Sequence, residues 1–229
     1  MKFYSTHSPK QLVTLREAVL RGLAPDNGLY MPEHIPVLPS RVISSLPTLS
    51  FQEIGWTVAN HLLQGDLPEM ELRKIVEHTL QFDAPLVPIE ENVFALELFH
   101  GPTLAFKDFG ARFLAGLLGY FAAQQNREVT ILVATSGDTG SAVANGFFNV
   151  PGTRVVVLYP KGKVSEIQEK QFTTLGANIT ALEVAGTFDD CQRMVKAAFL
   201  DQELQEKLFL TSANSMQKMI RNGPSNFLK

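Results

Sequence analysis

From residue 93 onward, the chain alternates short apolar stretches with segments of helical pattern. The apolar stretches predict strands at Val93–Leu98, Val129–Ala134, Arg154–Tyr159, Ile179–Val184 and Leu208–Leu210. The segments between them predict helices at Phe109–Gln125, from the loop after residue 134 to about Phe148, at Ser165–Leu175 and at Asp189–Leu200. Continuous apolar strands that alternate with helices favour a parallel sheet with both faces covered. The sequence therefore predicts an α/β fold, a doubly wound parallel sheet with helices on both faces.

The first 85 residues have a different pattern, which predicts mostly helix. Capping boxes at 14–17 (TLRE) and 50–53 (SFQE) each mark a helix start, and a third helix is expected to run to about Leu80. A proline-rich loop is expected from Pro32 to Pro47. Since Pro85 and Pro88 then interrupt the chain, we place a mostly helical N-terminal domain at 1–87 and an α/β domain at 88–215.

Composition excludes several classes of function. The net charge is −3 and no run of lysine or arginine occurs, so nucleic-acid binding has no electrostatic support. No apolar stretch approaches the ~18 residues of a membrane span, and the N-terminus has no signal-peptide pattern, so we expect a cytoplasmic protein. No zinc or P-loop motif occurs, and no metal site is predicted. The single cysteine, Cys191, suits a reducing compartment, and its polar neighbours predict a position at a helix surface or edge.

Lys107 lies among apolar residues, just after the Gly101-Pro102 turn and near a helix start. A lysine amine attacks a carbonyl carbon only when it is unprotonated, and apolar surroundings favour that form. Lys107 is therefore a candidate Schiff-base lysine, and an ordinary lysine with its ammonium group in water is the alternative.

The loop Ser136-Gly137-Asp138-Thr139-Gly140 follows a buried strand and opens a helix. Its glycines allow close approach of the backbone to a ligand, and free N–H groups at a helix start attract anions. The alternative is an ordinary turn capped by Ser136 or Thr139. In a doubly wound sheet, ligands bind beyond the carboxyl ends of the strands, where we expect both this loop and Lys107 to lie.

Three separated segments together resemble the threonine synthase family in its bacterial and fungal form. They are Tyr4-Ser5-Thr6 with 22–33 (GLAPDNGLYMPE), then 98–112 (LFHGPTLAFKDFGAR), then 134–142 (ATSGDTGSA). The resemblance runs from Lys2 to about Ser215. It implies that Lys107 binds pyridoxal 5'-phosphate covalently and then moves protons, and that Asp138 lies near the ring hydroxyl of the cofactor.

The resemblance also implies contacts with cofactor or substrate for Ser136, Gly137, Thr139 and Gly140. The weaker candidates for the pocket wall are Thr103, His100 and Asn214, and for His100 a purely structural role is equally open. The implied reaction converts O-phospho-L-homoserine and water to L-threonine and phosphate. The alternatives are a related lyase, such as threonine dehydratase or cysteine synthase, and a homologue without catalysis that acts as a binding or regulatory fragment.

The tail at 216–229 departs from the family pattern, and family members are longer than this chain. The resemblance implies that the main phosphate cradle lies beyond Ser215. We therefore expect the chain alone to bind the cofactor weakly and to self-associate through apolar surface that later strands would cover.

Overall fold

A computed structural model of the chain describes residues 1–125 and 127–213. Asn214 and the tail at 216–229 therefore lie outside the described residues. The N-terminal part consists, in order, of β1 (Lys2–Ser5), β2 (Leu12–Thr14), α1 (Leu15–Arg21), β3 (Tyr30–Pro32), α2 (Ser40–Ser45), a 3-10 turn (Leu46–Thr48), α3 (Phe51–Leu63) and α4 (Glu69–Thr79). The helical pattern thus holds, but the loop expected from Pro32 to Pro47 contains α2, and β2, β1 and β3 also form a small antiparallel sheet that the sequence analysis missed. Strands of three or four residues are too short to show a periodic pattern.

The two N-terminal sequence segments meet in this small sheet. The Ser5 hydroxyl donates to Asp26 Oδ1 at 2.6 Å, and the Gly28 N–H donates to the same oxygen at 2.9 Å. These bonds lower the pKa of Asp26 from 3.8 to about 2, with Ser5 contributing most. A Cβ on Gly28 would lie 3.0 Å from the backbone nitrogen of His7 and closer still to Ser5. Only glycine lets the two segments pack this closely.

The α/β part follows the predicted alternation. Its elements are β4 (Leu86–Glu90), β5 (Val93–Leu96), α5 (Lys107–Ala122), β6 (Val129–Ala134), α6 (Asp138–Phe147), β7 (Thr153–Pro160), α7 (Glu166–Thr173), β8 (Ile179–Val184), α8 (Phe188–Leu200), α9 (Gln202–Lys207) and β9 (Phe209–Ser212). The order β8-β7-β6-β9 forms a four-stranded sheet whose neighbouring strands are all parallel. The predicted α/β class is confirmed.

Helices cover both faces of the parallel sheet. Since successive side chains of a strand point to opposite faces, neighbouring residues of one strand pack into different clusters. Ile131 and Val133 of β6 belong to the large core that includes residues of α1, α4, α5 and α6. Ala134 belongs to a smaller cluster on the other face with Leu158 and Cys191 of α8. Cys191 is fully buried there, so its predicted place at a helix surface was wrong, and burial raises the pKa of its thiol.

The strand before Lys107 does not join the parallel sheet. β5 pairs with β4 in a separate antiparallel hairpin, with Val87 opposite Ala95, and Asn92 at the turn has a φ of 61°. The expectation that Lys107 follows a strand of the doubly wound sheet was therefore wrong. An apolar run indicates a strand but does not say which strand it pairs with.

The N-terminal part packs directly against the sheet and against α5. Gly22, just after α1, has a φ of 70°, and a Cβ there would lie 2.8 Å from the backbone nitrogen of Ser212 in β9. The Arg112 guanidinium of α5 donates to the carbonyl of His78 at 2.8 Å and to Gln81 Oε1 at 2.6 Å. Burial, with a further contribution from the Arg112 charge, lowers the pKa of His78. These contacts place the N-terminal helices against the helix that begins at Lys107.

Candidate active site

The loop before Lys107 is held by a buried carboxylate that the sequence analysis did not single out. Asp108 is 1% exposed and accepts two hydrogen bonds from Thr103, one from its N–H at 2.9 Å and one from its hydroxyl at 2.5 Å. A Cβ on Gly101 would lie 2.9 Å from the Cβ of Asp108, so the chain needs glycine there. Leu104, between these residues and Lys107, has a φ of 58°, a strained value for a bulky side chain. Asp108 thus holds a strained loop against the start of α5.

Lys107 is the first residue of α5, and its side chain is 22% exposed. Its Nζ lies 4.7 Å from the centre of the Phe106 ring, which supplies the apolar neighbour expected from the sequence. The same Nζ lies 3.6 Å from Asp138 Oδ2, at the start of α6. The structure therefore brings the lysine segment and the glycine-containing loop together at one place.

Thr135 organises the glycine-containing loop, although the sequence analysis assigned it no role. Its buried hydroxyl accepts from the N–H groups of Gly137 at 3.0 Å and Gly140 at 2.8 Å, and donates to the Gly137 carbonyl at 3.0 Å. A side chain on Gly140 would lie 2.8 Å from Thr135 Cβ. A threonine two residues before a glycine, directly after a buried strand, was the available signal, since hydroxyls bond the nearby backbone in such turns.

The loop divides into buried and outward-facing residues. Gly137 and Gly140 are buried, and their N–H groups are occupied by Thr135. Ser136 and Asp138 are exposed and Thr139 is half-buried. Among the described residues, the hydroxyls of Ser136 and Thr139 have no hydrogen-bond partner, and the Asp138 and Thr139 N–H groups lie in the unpaired first turn of α6. These are the groups with which the loop can bind an anion.

A second side chain reaches Asp138 from α7. Gln168 Nε2 donates to Asp138 Oδ1, and Gln168 Oε1 accepts from the Ser165 hydroxyl at 2.9 Å. The Gln168 amide lies against Gly137, where a Cβ would approach Gln168 Cδ to 2.6 Å. In the sequence, Gln168 stands three residues after Ser165 at the start of the predicted helix Ser165–Leu175, which gives it only the signal of a helix cap.

The weaker candidates for the pocket wall, His100 and Thr103, make contacts outside this pair of segments or within the lysine loop. His100 Nε2 lies 2.7 Å from Glu97 Oε2, and the His100 ring stacks on Phe99 with ring centres 4.8 Å apart. Thr103 bonds to Asp108, as described above. Asn214 lies outside the described residues.

Two features are absent from the described residues, a cluster of metal-ligating side chains and a helix that could span a membrane. Within 1–125 and 127–213, no group of three or more metal-ligating side chains comes together. Over the same ranges, no helix has both the length and the apolar character of a membrane span.

Comparison with known proteins first identifies the class of protein to which this chain belongs. Residues 79–221 match the family model described as pyridoxal-phosphate dependent enzyme, and residues 2–80 match that of the threonine synthase N terminus. Together with the parallel sheet and the lysine beside a glycine-containing loop, the first match shows that the chain belongs to the pyridoxal-phosphate-dependent enzyme family.

The relatives are threonine synthases, which confirms the resemblance seen in the sequence. The Haemophilus influenzae threonine synthase is 48% identical over 216 residues, which is 94% of this chain and 50% of that protein. The crystal structure of the Escherichia coli enzyme superposes with a TM-score of 0.85 at 43% identity, covering 96% of this chain and 51% of that one. The PLP-bound enzyme of Brucella melitensis gives 0.86 at 34% identity, covering 99% and 53%. The chain therefore spans about half the length of the relatives it matches.

Proposed function

We propose that this chain provides the lysine-bearing part of a threonine synthase active site, which uses pyridoxal 5'-phosphate to convert O-phospho-L-homoserine and water to L-threonine and phosphate. The observation that carries the proposal is the 3.6 Å approach of Lys107 Nζ to Asp138 Oδ2. This approach joins the two segments that resemble the family's cofactor site. The similarity to threonine synthases over 94% of the chain supports the choice of substrate.

The residues present fit such a cofactor. Lys107 offers a partly exposed amine for an aldehyde carbon, and the Phe106 ring beside it offers an apolar surface. The first turn of α6 offers unpaired N–H groups at Asp138 and Thr139, and the Ser136 and Thr139 hydroxyls offer two more donors for a carboxylate or phosphate. Thr135 holds these donors in place, so little ordering is left to occur when the anion binds.

The chemistry divides between the cofactor and this chain. When bound, pyridoxal phosphate supplies the electron sink that stabilises negative charge on the substrate carbons. Lys107 acts as base and acid: its amine accepts the proton from Cα of the substrate and returns a proton later in the cycle. The Asp138 carboxylate lies 3.6 Å from the Lys107 nitrogen and holds it in place between those transfers. The outward donors of the loop bind and orient the anionic end of the substrate.

A labelling experiment tests the role of Lys107. The chain is incubated with pyridoxal phosphate, reduced with borohydride and digested, and the modified peptides are identified by mass spectrometry. We expect the pyridoxyl group on the peptide that contains Lys107 and its loss in Lys107→Ala. Lys170→Ala is the matched control, because Lys170 is a surface lysine of α7 that pairs with Glu166. Predominant label on another lysine would contradict the proposal.

A second assay separates the enzyme from a binding fragment. Phosphate release and threonine formation are measured after addition of O-phospho-L-homoserine. Label on Lys107 without either product would favour a fragment that binds the cofactor without catalysis.

We also propose that the chain self-associates. The hairpin β4–β5 exposes several large apolar side chains (Leu86, Ile89, Phe94 and Leu96). Contiguous apolar surface of this kind favours association. Sedimentation velocity over a range of concentrations tests the expectation, and Phe94→Ser should shift the distribution toward the monomer.

A further inference from the structure

Gln168 occupies a capping position but is not used as a cap in the usual way. It is the third residue of α7, three after the N-cap Ser165. In α3, the residue at this position, Glu53, accepts from the N–H of its cap Ser50 at 2.7 Å. In α8, Asp190 accepts from the N–H of Thr187 at the same distance. The Gln168 side chain does not bond the backbone N–H of its own N-cap, Ser165, and instead contacts Asp138 of α6.

Two contacts define where the Gln168 amide points. Its Oε1 accepts from the Ser165 hydroxyl at 2.9 Å, so its Nε2 is the group that faces Asp138 and donates to Oδ1. The other carboxylate oxygen, Oδ2, is the atom 3.6 Å from Lys107 Nζ. A continuous line of polar contacts therefore runs from Ser165 through Gln168 and Asp138 to the lysine.

We infer that Gln168 is a positioning residue that holds the Asp138 carboxylate toward Lys107 and so keeps the lysine nitrogen in its ion pair with Asp138. The inference rests on the proposed function of Lys107. It assigns Gln168 no contact with substrate or cofactor, since its effect passes through Asp138.

The Asp138 side chain is 55% exposed, so its charge lies largely in water. Exposed ion pairs are weak, because both side chains must be ordered to make them and water screens the charges. The hydrogen bond from Gln168 orders the Asp138 carboxylate. The pair with Lys107 is thereby strengthened although Asp138 itself stays largely in water.

The residue types at positions 168 and 137 fit this arrangement. A glutamate at 168 would serve the cap of α7 well, but it would set two carboxylates against each other, so the site requires a neutral donor. Position 137 requires glycine, because a Cβ would lie 2.6 Å from Gln168 Cδ and 2.8 Å from Gln168 Nε2, and the φ of 143° also suits glycine.

The test measures how readily the Lys107 amine reacts without any cofactor. The whole chain is acetylated with trace acetic anhydride at fixed pH, and the rate at Lys107 is compared with that at Lys74, an exposed lysine of α4, by mass spectrometry of the peptides. The variants are Gln168→Leu, Asp138→Asn and the double variant Gln168→Leu with Asp138→Asn. Circular dichroism confirms that each is folded.

We expect Gln168→Leu to speed acetylation of Lys107 about two- to five-fold, the effect of weakening an exposed ion pair. Asp138→Asn should speed it at least as much, and the double variant should equal Asp138→Asn, because Gln168 acts through that carboxylate.

An unchanged Lys107 rate in Gln168→Leu, or a double variant that reacts faster than Asp138→Asn, would overturn the inference and leave Gln168 as a helix cap. Because the assay contains no pyridoxal phosphate, it can succeed or fail independently of the labelling experiment that tests the role of Lys107.

Discussion

Thr103→Val is the most direct test of how the lysine loop is held. Valine has nearly the shape of threonine and lacks only the hydroxyl. In the structure that hydroxyl donates to Asp108 Oδ1 at 2.5 Å, and the carboxylate is 1% exposed. No water can replace the lost donor at such a buried site, so the charge would keep only the bond from the Thr103 N–H at 2.9 Å.

The magnitude follows from the type of bond. A hydrogen bond to a charged group contributes about 1.5–3 kcal/mol, so Thr103→Val should lower the free energy of unfolding by that amount. Thr103→Ser is the matched control, because it keeps the hydroxyl and loses a methyl group, at a cost of about 0.8 kcal/mol. The strained backbone at Leu104, with its φ of 58°, should also relax in the valine variant and shift the start of α5.

Urea unfolding, followed by far-UV circular dichroism and by the fluorescence of Trp56, gives the two free energies. Amide hydrogen exchange at Leu104 reports the local effect and should be faster in Thr103→Val than in Thr103→Ser. If the two variants have the same stability, Thr103 does not anchor Asp108. Unchanged stability in both, with loss of ligand binding in the valine variant alone, would instead support the role of Thr103 in the pocket wall.

Three further predictions concern other parts of the fold. Thr135→Val removes the hydroxyl that bonds Gly137 and Gly140 and should lower the free energy of unfolding by about 2–4 kcal/mol. Thr135→Ser keeps a hydroxyl and should retain most of the stability, and urea titration measures the free energy of both variants. The lowered pKa of His78 means that the unfolded chain binds the proton more readily, so stability should fall as pH drops below 6.5, and thermal unfolding of His78→Gln should show less of this loss. The pKa of Asp26, lowered to about 2, means that its stabilisation is present above pH 3.8 and is lost as pH falls toward 2. Asp26→Asn should therefore remove that part of the acid transition, and an unchanged transition would contradict the assignment.

Local patterns predicted the elements whose signals lie within a few residues. All six residues of Val129–Ala134 are buried, as a continuous apolar run requires of a strand covered on both faces. Ser50 and Glu53 form the expected capping box. The start of α5 was placed at Phe109 but lies at Lys107, because the N-cap is Phe106, whose side chain makes no capping bond. Without a capping side chain, nothing in the sequence marks that boundary.

The candidate site was predicted from the sequence only in part. The resemblance to threonine synthases directed attention to Lys107 and Asp138, and the structure brings them within 3.6 Å. Their roles, like those of Ser136, Gly137, Thr139 and Gly140, stay predictions. Thr135 had a local signal that went unused, whereas Gln168 gave only the signal of a helix cap.

The sequence by itself determined the α/β class, the alternation of strands and helices from β6 to α8 and the membership of the pyridoxal-phosphate-dependent enzyme family, because these depend on apolar periodicity and on motifs of adjacent residues. Only the tertiary structure decided the partner of β5, the burial of Cys191, the anchoring of the lysine loop by Asp108 and the contact of Gln168 with Asp138. Gln168 and Asp138 lie 30 residues apart. Contacts of this kind arise when packed elements bring distant side chains within hydrogen-bond range, and that geometry belongs to the folded chain as a whole rather than to any segment of it.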